Sequence, residues 1–293
     1  MVHKSKSITM EDASADSARG DADAKRARVV APANDGSDAP DRLDARRPTA
    51  FVVNEFGQRI GPVVEGFREP PRSRLREGAV GRTCELRVLS VDEHAADLFD
   101  AFAADSGAMW TYLSMGPFKD VRELADTARV RLPGATESWV SMVVVNRATG
   151  KPEGVACYLA IEPASIEIGT LMFSPLMRRS VRSTEALYLM MRTCFDLGWR
   201  RVEWKCNALN DPSRACARRL GFKFDGRFPD RAVVKGRARD TDYLSVLASE
   251  WPEHDAALRE WLRPDNFRGP SGAQVESLRA VRERLRAAPS AAA

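Results

Sequence analysis

Three short segments of this 293-residue chain combine residue types that bind anions and move protons. A predicted strand ends at Phe173-Ser174-Pro175, the run Arg178-Arg179-Ser180-Val181-Arg182-Ser183 opens a helix, and Asn210-Asp211-Pro212-Ser213 opens another. The first turn of a helix presents N–H groups with no partner inside the helix, together with the positive end of its dipole. A loop leading into it therefore suits a pyrophosphate, and Arg178, Arg179 and Arg182 add charge for a further phosphate. The bland alternative is a solvated, arginine-rich start to an ordinary amphipathic helix. Asn210 and Ser213 likewise read either as polar groups lining a site or as caps of the helix that Pro212 begins. Glu167 is flanked by Ile166 and Ile168 on what reads as a central strand, where burial disfavours its charge and raises its pKa. Either the carboxylate is used, or an ion pair with a nearby arginine accounts for it. Glu203 on the following strand is the alternate carboxylate.

Composition narrows the chemistry. His3, His94 and His254 are the only histidines and no C-x-x-C occurs, so no metal spacing is present. Cys84, Cys157, Cys194, Cys206 and Cys216 are odd in number and widely spaced, the pattern of reduced core thiols in a reducing compartment. Basic and acidic residues number 45 and 41, a net charge of +4 that is no electrostatic footprint for nucleic acid. No run approaches the roughly 20 apolar residues of a membrane span, and no apolar signal core follows Met1-Val2-His3-Lys4-Ser5-Lys6. These features predict a soluble, unexported, cytoplasmic protein without a membrane partner. The cluster Lys25-Arg26-Ala27-Arg28 keeps a nuclear address open.

The elements that must position these residues follow from periodicity. Residues 1–50 lack Phe, Trp and Tyr and are rich in Asp, Ala, Ser, Arg and Pro, which predicts a disordered tail. Residues 51–80 read as an extended arm, with Glu69-Pro70-Pro71-Arg72 forcing an extended passage. Strands are expected over 83–89, 139–145, 154–161, 166–173, 201–206, 222–226 and 241–247. Helices are expected over 92–103 and 118–132, and a third places Leu187, Met190, Met191, Cys194 and Phe195 on one stripe before Gly198 ends it. A fourth runs from Asp211 to Gly221. The order predicts an α/β domain with a mixed sheet over 81–263, then a surface helix over 272–287 and a frayed tail.

The run Ile166-Glu167-Ile168-Gly169, Ser174-Pro175, Ser183-Thr184-Glu185-Ala186, Asn210-x-x-Ser213, Leu220-Gly221-Phe222 and Asp225-Gly226 resembles the GNAT acetyltransferase superfamily. It is most similar to the branch holding the ribosomal-protein N-terminal acetyltransferases. The segments Glu203-Trp204-Lys205-Cys206-Asn207 and Lys235-Gly236-Arg237-x-Arg239-Asp240-Thr241 fit one subgroup of that branch. The resemblance covers roughly residues 81–250 and implies the acyl-CoA N-acyltransferase fold, a central mixed sheet that splays, flanked by helices.

It further implies acetyl-CoA as co-substrate and residue roles position by position. Met172, Phe173 and Ser174 would hold the acetyl and pantetheine groups through their backbone. Residues 178–183 occupy the place of the pyrophosphate loop, departing from the family's pattern at Val181, where glycine is usual, and at Ser183. Asn210 would bind the pantetheine arm and Ser213 would act as general acid, since the tyrosine used elsewhere in the superfamily is replaced by Ala217. Glu167, eleven residues before Arg178, stands near the offset of a histone-type general base. Trp110, Tyr112 and Phe118 fall where the family lines its acceptor cleft, although aromatics there are more often core. The expected activity is acetyl transfer to an amine by direct attack in a ternary complex, with a protein N-terminus favoured as acceptor. A small amine or polyamine is the alternative acceptor, and from another class, a GNAT-like binding or scaffold protein with weak cofactor affinity through Val181. Acyl transfer through Cys206 or Cys216 lacks a histidine partner. Some members of the branch pair as homodimers.

Overall fold

A computed structural model describes residues 50–268 and 273–287. The expected tail over residues 1–49, the basic cluster at 25–28 and the tail from Pro289 onward lie outside these residues. Two short strands, β1 (Val52–Val53) and β2 (Arg59–Ile60), form a ladder of their own. A 3-10 turn, Arg72–Glu77, then seats Leu75 in the core at 1% exposure.

The main sheet begins at β3 (Ala79–Val80) and β4 (Cys84–Val88). After α1 (Val91–Ala103) and α2 (Val121–Arg131) come β5 (Trp139–Asn146), β6 (Pro152–Leu159) and β7 (Ser165–Phe173). Then α3 (Val181–Leu197), β8 (Arg201–Asn207), α4 (Asp211–Leu220), β9 (Lys223–Val234) and β10 (Arg237–Leu247) follow, and α5 (Trp251–Trp261) covers the end of the domain. Last come β11 (Phe267–Arg268), β12 (Ala273–Gln274) and α6 (Leu278–Ala287). The eight-stranded sheet has the order β3-β4-β5-β6-β7-β8-β10-β9, and only β7 and β8 are parallel, as the intervening helix requires. The mixed α/β sheet expected from the sequence is therefore present.

Side-chain alternation divides the interior into two layers. Ile166, Ile168, Val202 and Trp204 face α3 and α4, whereas Val143, Val155, Cys157 and Met172 face α1 and α2. Strand β7 supplies both, because Val155 lies opposite Met172 but Cys157 lies opposite Gly169, leaving two residues of β7 against one of β6. This bulge, with Thr170 at φ 50°, reverses the parity of the strand. Phe173 thus turns to the α3 side and Met172 to the α1–α2 side.

Three boundaries differ from expectation. Helix α2 starts three residues late, at Val121, because Asp120 caps it by accepting from Glu123 N–H at 2.8 Å. Strands β9 and β10 extend far beyond 222–226 and 241–247, turning at Lys235-Gly236 with both residues at positive φ. Their outer halves are exposed, so no apolar alternation announces them. Helix α6 begins at Leu278 rather than at residue 272.

Candidate active site

Pairing between β7 and β8 runs from Ser165–Arg201 to Glu167–Glu203 and stops there. Beyond that point the β8-facing edge of β7, through Met172 and Phe173, has no strand partner among the described residues. Below the gap lies the start of α3. Ser174 is fully buried, donates its N–H to Glu153 O at 3.1 Å, and accepts from the N–H groups of Met177 and Arg178 at 3.0 and 2.9 Å. This tight turn redirects the chain into residues 178–183.

Side chains of that loop are largely engaged by protein groups. Arg178 pairs with Asp105. Arg182 donates to Glu153 Oε2 at 2.9 Å and Leu176 O at 3.0 Å. Ser180 Oγ donates to Met177 O at 2.6 Å and Ser183 Oγ to Ser180 O at 2.8 Å. Arg179, at φ 57°, is left exposed. The expectation of three arginines ready for phosphate thus needs correction, since two of them already hold carboxylates. Val181, the first residue of α3, packs against the core beneath the sheet, so its branched side chain is directed inward. The N–H groups of Val181, Arg182 and Ser183 are those a helix leaves without internal acceptors.

Across the gap, β8 ends at Asn207 and α4 begins. Asn210 caps it, its side-chain oxygen accepting from Ser213 N–H at 3.2 Å. Ser213 Oγ in turn accepts from Trp204 Nε1 at 3.0 Å. Cys206 lies beside the same hydroxyl, and burial, then Asp242, push its thiol up to about 11. Burial raises the Cys216 thiol as well. Neither is a ready nucleophile at neutral pH.

Glu167 projects from the α1–α2 side of the sheet, opposite to Trp204. Its side chain is 13% exposed and accepts from Lys205 Nζ at 2.9 Å, with Glu203 3.4 Å from the same ammonium. The partner is a lysine, not the arginine expected. Burial raises the Glu167 pKa and Lys205 opposes the rise. Of the aromatics between α1 and α2, Trp110 is 4% exposed and stacks edge-on against Phe102 and Phe118 at 5.4 and 5.1 Å. Tyr112 is half-buried. The segment carrying them is fastened at both ends. Asp105 receives Arg178, and the hairpin-tip Lys235 donates to Trp110 O at 2.9 Å and Gly116 O at 2.6 Å.

Sequence reasoning missed Asp105, Glu153, Trp204, Lys205 and Lys235 as members of this site. Trp204 and Lys205, on the strand that precedes Asn210, and Lys235 carried a signal, since all three lie in the segments that resemble one subgroup of the family. Several of the contacts join residues distant in the chain, such as Lys235 and Trp110, which are 125 positions apart.

The chain is similar to known proteins. A family model described as an acetyltransferase (GNAT) domain matches residues 84–223. A GCN5-related N-acetyltransferase from Brucella melitensis is 36% identical over 75% of this chain and 100% of its own, with a TM-score of 0.70. A probable acetyltransferase of the GNAT family from Chromobacterium violaceum is 34% identical over 66% of this chain and 96% of its own, with a TM-score of 0.62. An acetyl transferase from Salmonella typhimurium, described as modifying the N-terminal serine of ribosomal protein L7/L12, is 20% identical over 57% of this chain and 96% of its own. Its TM-score of 0.50 indicates a shared fold. No curated protein matches.

Proposed function

Since this chain belongs to the GNAT family of acetyltransferases, we propose that it transfers an acetyl group from acetyl-CoA to the amino group of a protein N-terminus, by direct attack with both substrates bound. The observation that carries the reading is the parting of β7 from β8 beyond Glu167, with a carboxylate on one face of the gap and a hydroxyl on the other. Glu167 stands on the α1–α2 side and Ser213 on the α3–α4 side, so a nucleophile entering from one face and a leaving group on the other each meet a proton-transfer group.

Residues 178–183 fit a pyrophosphate. Val181 is turned into the core, which removes the steric objection to a branched residue at that position, and the first-turn N–H groups of α3 with Arg179 supply donors. Ser180, Arg182 and Ser183 contribute through their backbone. The unpartnered edge of β7 at Met172 and Phe173, with Ser174 holding the turn below and Asn210 across the gap, receives the pantetheine arm. Acetyl-CoA supplies a thioester-activated acetyl group.

Glu167 takes the proton of the incoming amine. Burial brings its pKa upward, which makes the transfer less unfavourable, while Lys205 opposes the rise. Ser213 delivers a proton to the departing sulfur. Because Trp204 Nε1 occupies a lone pair of Ser213 Oγ, the hydroxyl hydrogen is left for donation. The protein N-terminus as acceptor rests on the likeness of the motif run to the ribosomal branch and on the fold shared with the Salmonella enzyme.

The test is release of free CoA from acetyl-CoA with peptides bearing free N-termini, the same peptides N-blocked, and spermidine. Turnover confined to free N-termini is the expected result. Turnover with spermidine alone would transfer the assignment to small amines. Absence of turnover together with an unchanged melting temperature in excess acetyl-CoA would point to a binding protein. A ligand at about 100 times its dissociation constant adds roughly 2.7 kcal/mol of stability, which is readily seen as a thermal shift.

A further inference from the structure

Arg239 lies on β10 two residues before Thr241, and Thr241 pairs with Asn207, the last residue of β8. It therefore projects beyond the end of β8, at the mouth of the gap. Its position is fixed by its neighbour. Asp240 O accepts from Ala208 N–H at 3.0 Å, in the turn leading to α4, and Asp240 Oδ1 accepts from Asp230 N–H at 2.9 Å on β9. The register of β10 against β9 shifts between Arg239 and Thr241, where β9 carries the extra residues and bulges away beside Asp240.

Three cations of the neighbouring strands and of α4 hold carboxylates: Lys205 binds Glu167 and Glu203, and both Arg214 and Arg227 bind Asp242. Arg239 forms no ion pair with a described residue, and its Nε is buried without a hydrogen-bond partner. A partly buried guanidinium without an anion is unfavourable in the free protein and prepares a place for one. Burial raises the pKa of both Glu167 and Cys206, and the Arg239 charge lowers both, so the guanidinium is felt at the base and beside Ser213 alike.

Resting on the acyl-transfer reading of this gap, we propose that Arg239 is the anion subsite for the acceptor, and that the amine acetylated carries a carboxylate a few bonds from its nitrogen. A carboxylate matches the planar fork of a guanidinium through two parallel hydrogen bonds. A dianionic phosphate is disfavoured by Glu167 and Glu203 nearby. With the carboxylate seated on Arg239, the amine lies toward Glu167. Two kinds of acceptor present this chemistry: a peptide whose first or second residue is acidic, and a free amino acid.

The experiment compares Ala-Asp with Ala-Asn peptides, and L-serine with L-serinamide, as acceptors for wild type, Arg239→Gln and Arg239→Lys. The wild type should favour the carboxylate member of one pair by about 10- to 100-fold in kcat/KM, mainly through KM. Which pair shows the preference identifies the source. Arg239→Gln should bring the ratio near unity, and Arg239→Lys should restore part of it. Ratios near unity in the wild type for both pairs, or an unchanged ratio in Arg239→Gln, overturn the proposal. Calorimetric titration of the same compounds into the CoA-bound protein reads the subsite without turnover. A carboxylate advantage there that Arg239→Gln abolishes upholds the subsite even if no amine is acetylated, whereas equal binding rejects it.

Discussion

At Ser213 structural and chemical roles meet in one hydroxyl. Its oxygen accepts from the indole N–H of Trp204, a residue 2% exposed, so Ser213→Ala leaves a buried donor without an acceptor. Stability in urea should fall by about 1 to 2 kcal/mol, and kcat by about 100-fold if the hydroxyl protonates the leaving thiolate. A loss of stability with kcat intact would leave only the structural role. Glu167 is tested through pH. Its carboxyl is raised by burial against the pull of Lys205, so kcat should climb as pH rises through a value above the ordinary 4.5, the proton-accepting form being the ionised one. Glu167→Gln should lower kcat by roughly 100- to 10,000-fold and abolish that limb of the profile. Both residues were legible in the sequence, one as a carboxylate between isoleucines and the other three places after Asn210. Lys205 as the partner of Glu167 was not, because that pairing requires β7 and β8 to lie side by side in register.

Among the elements, the segment between α1 and α2 is fastened to two others that flank the gap. Arg178 reaches it from the loop before α3 and Lys235 from the tip of the β9–β10 hairpin. Lys235→Ala removes two charge-assisted hydrogen bonds and should raise the acceptor KM about 10-fold, with acetyl-CoA affinity unchanged. Equal effects on both substrates would show that the hairpin tip does not shape the acceptor side alone. Helix α3 is tied to the sheet by Glu185, 5% exposed, which accepts from Arg82 N–H and Thr83 N–H at 2.7 Å and from Cys84 N–H at 3.2 Å. Glu185→Ala should destabilise the fold by roughly 3 kcal/mol or more in urea unfolding, because these donors lose their acceptor. The helices were legible through apolar stripes and caps. The long hairpin was not, since its outer half faces water on both sides. The β7 bulge was not legible either, as a parity reversal shows only when β6 is aligned beside it.

On the scale of the whole molecule, α6 joins the same core as α3 and α5 through Leu278 and Val281, 2% and 1% exposed. A domain ending at residue 263 leaves that surface open. Truncation after Arg263 should remove roughly 3 to 6 kcal/mol as an upper estimate and lower the melting temperature. His254 on α5 fills the space beside Gly221, where a Cβ would stand 2.7 Å from its ring and where φ is 110°. Burial first, then Arg282, lowers its pKa to about 4. A histidine with a depressed folded pKa favours folding above its unfolded value near 6.5, so stability should decline as pH falls from 6.5 toward 4, by roughly 3 kcal/mol. Urea midpoints across that window should flatten in His254→Gln. The amino-acid sequence by itself determined the alternation of strands and helices, the mixed sheet and the run of motifs around residues 166–226, because periodicity, caps and short spacings are local. Tertiary structure alone decided which cation meets which carboxylate, where β7 leaves β8, and that Arg239 meets none among the described residues, because these depend on register and on segments far apart in the chain.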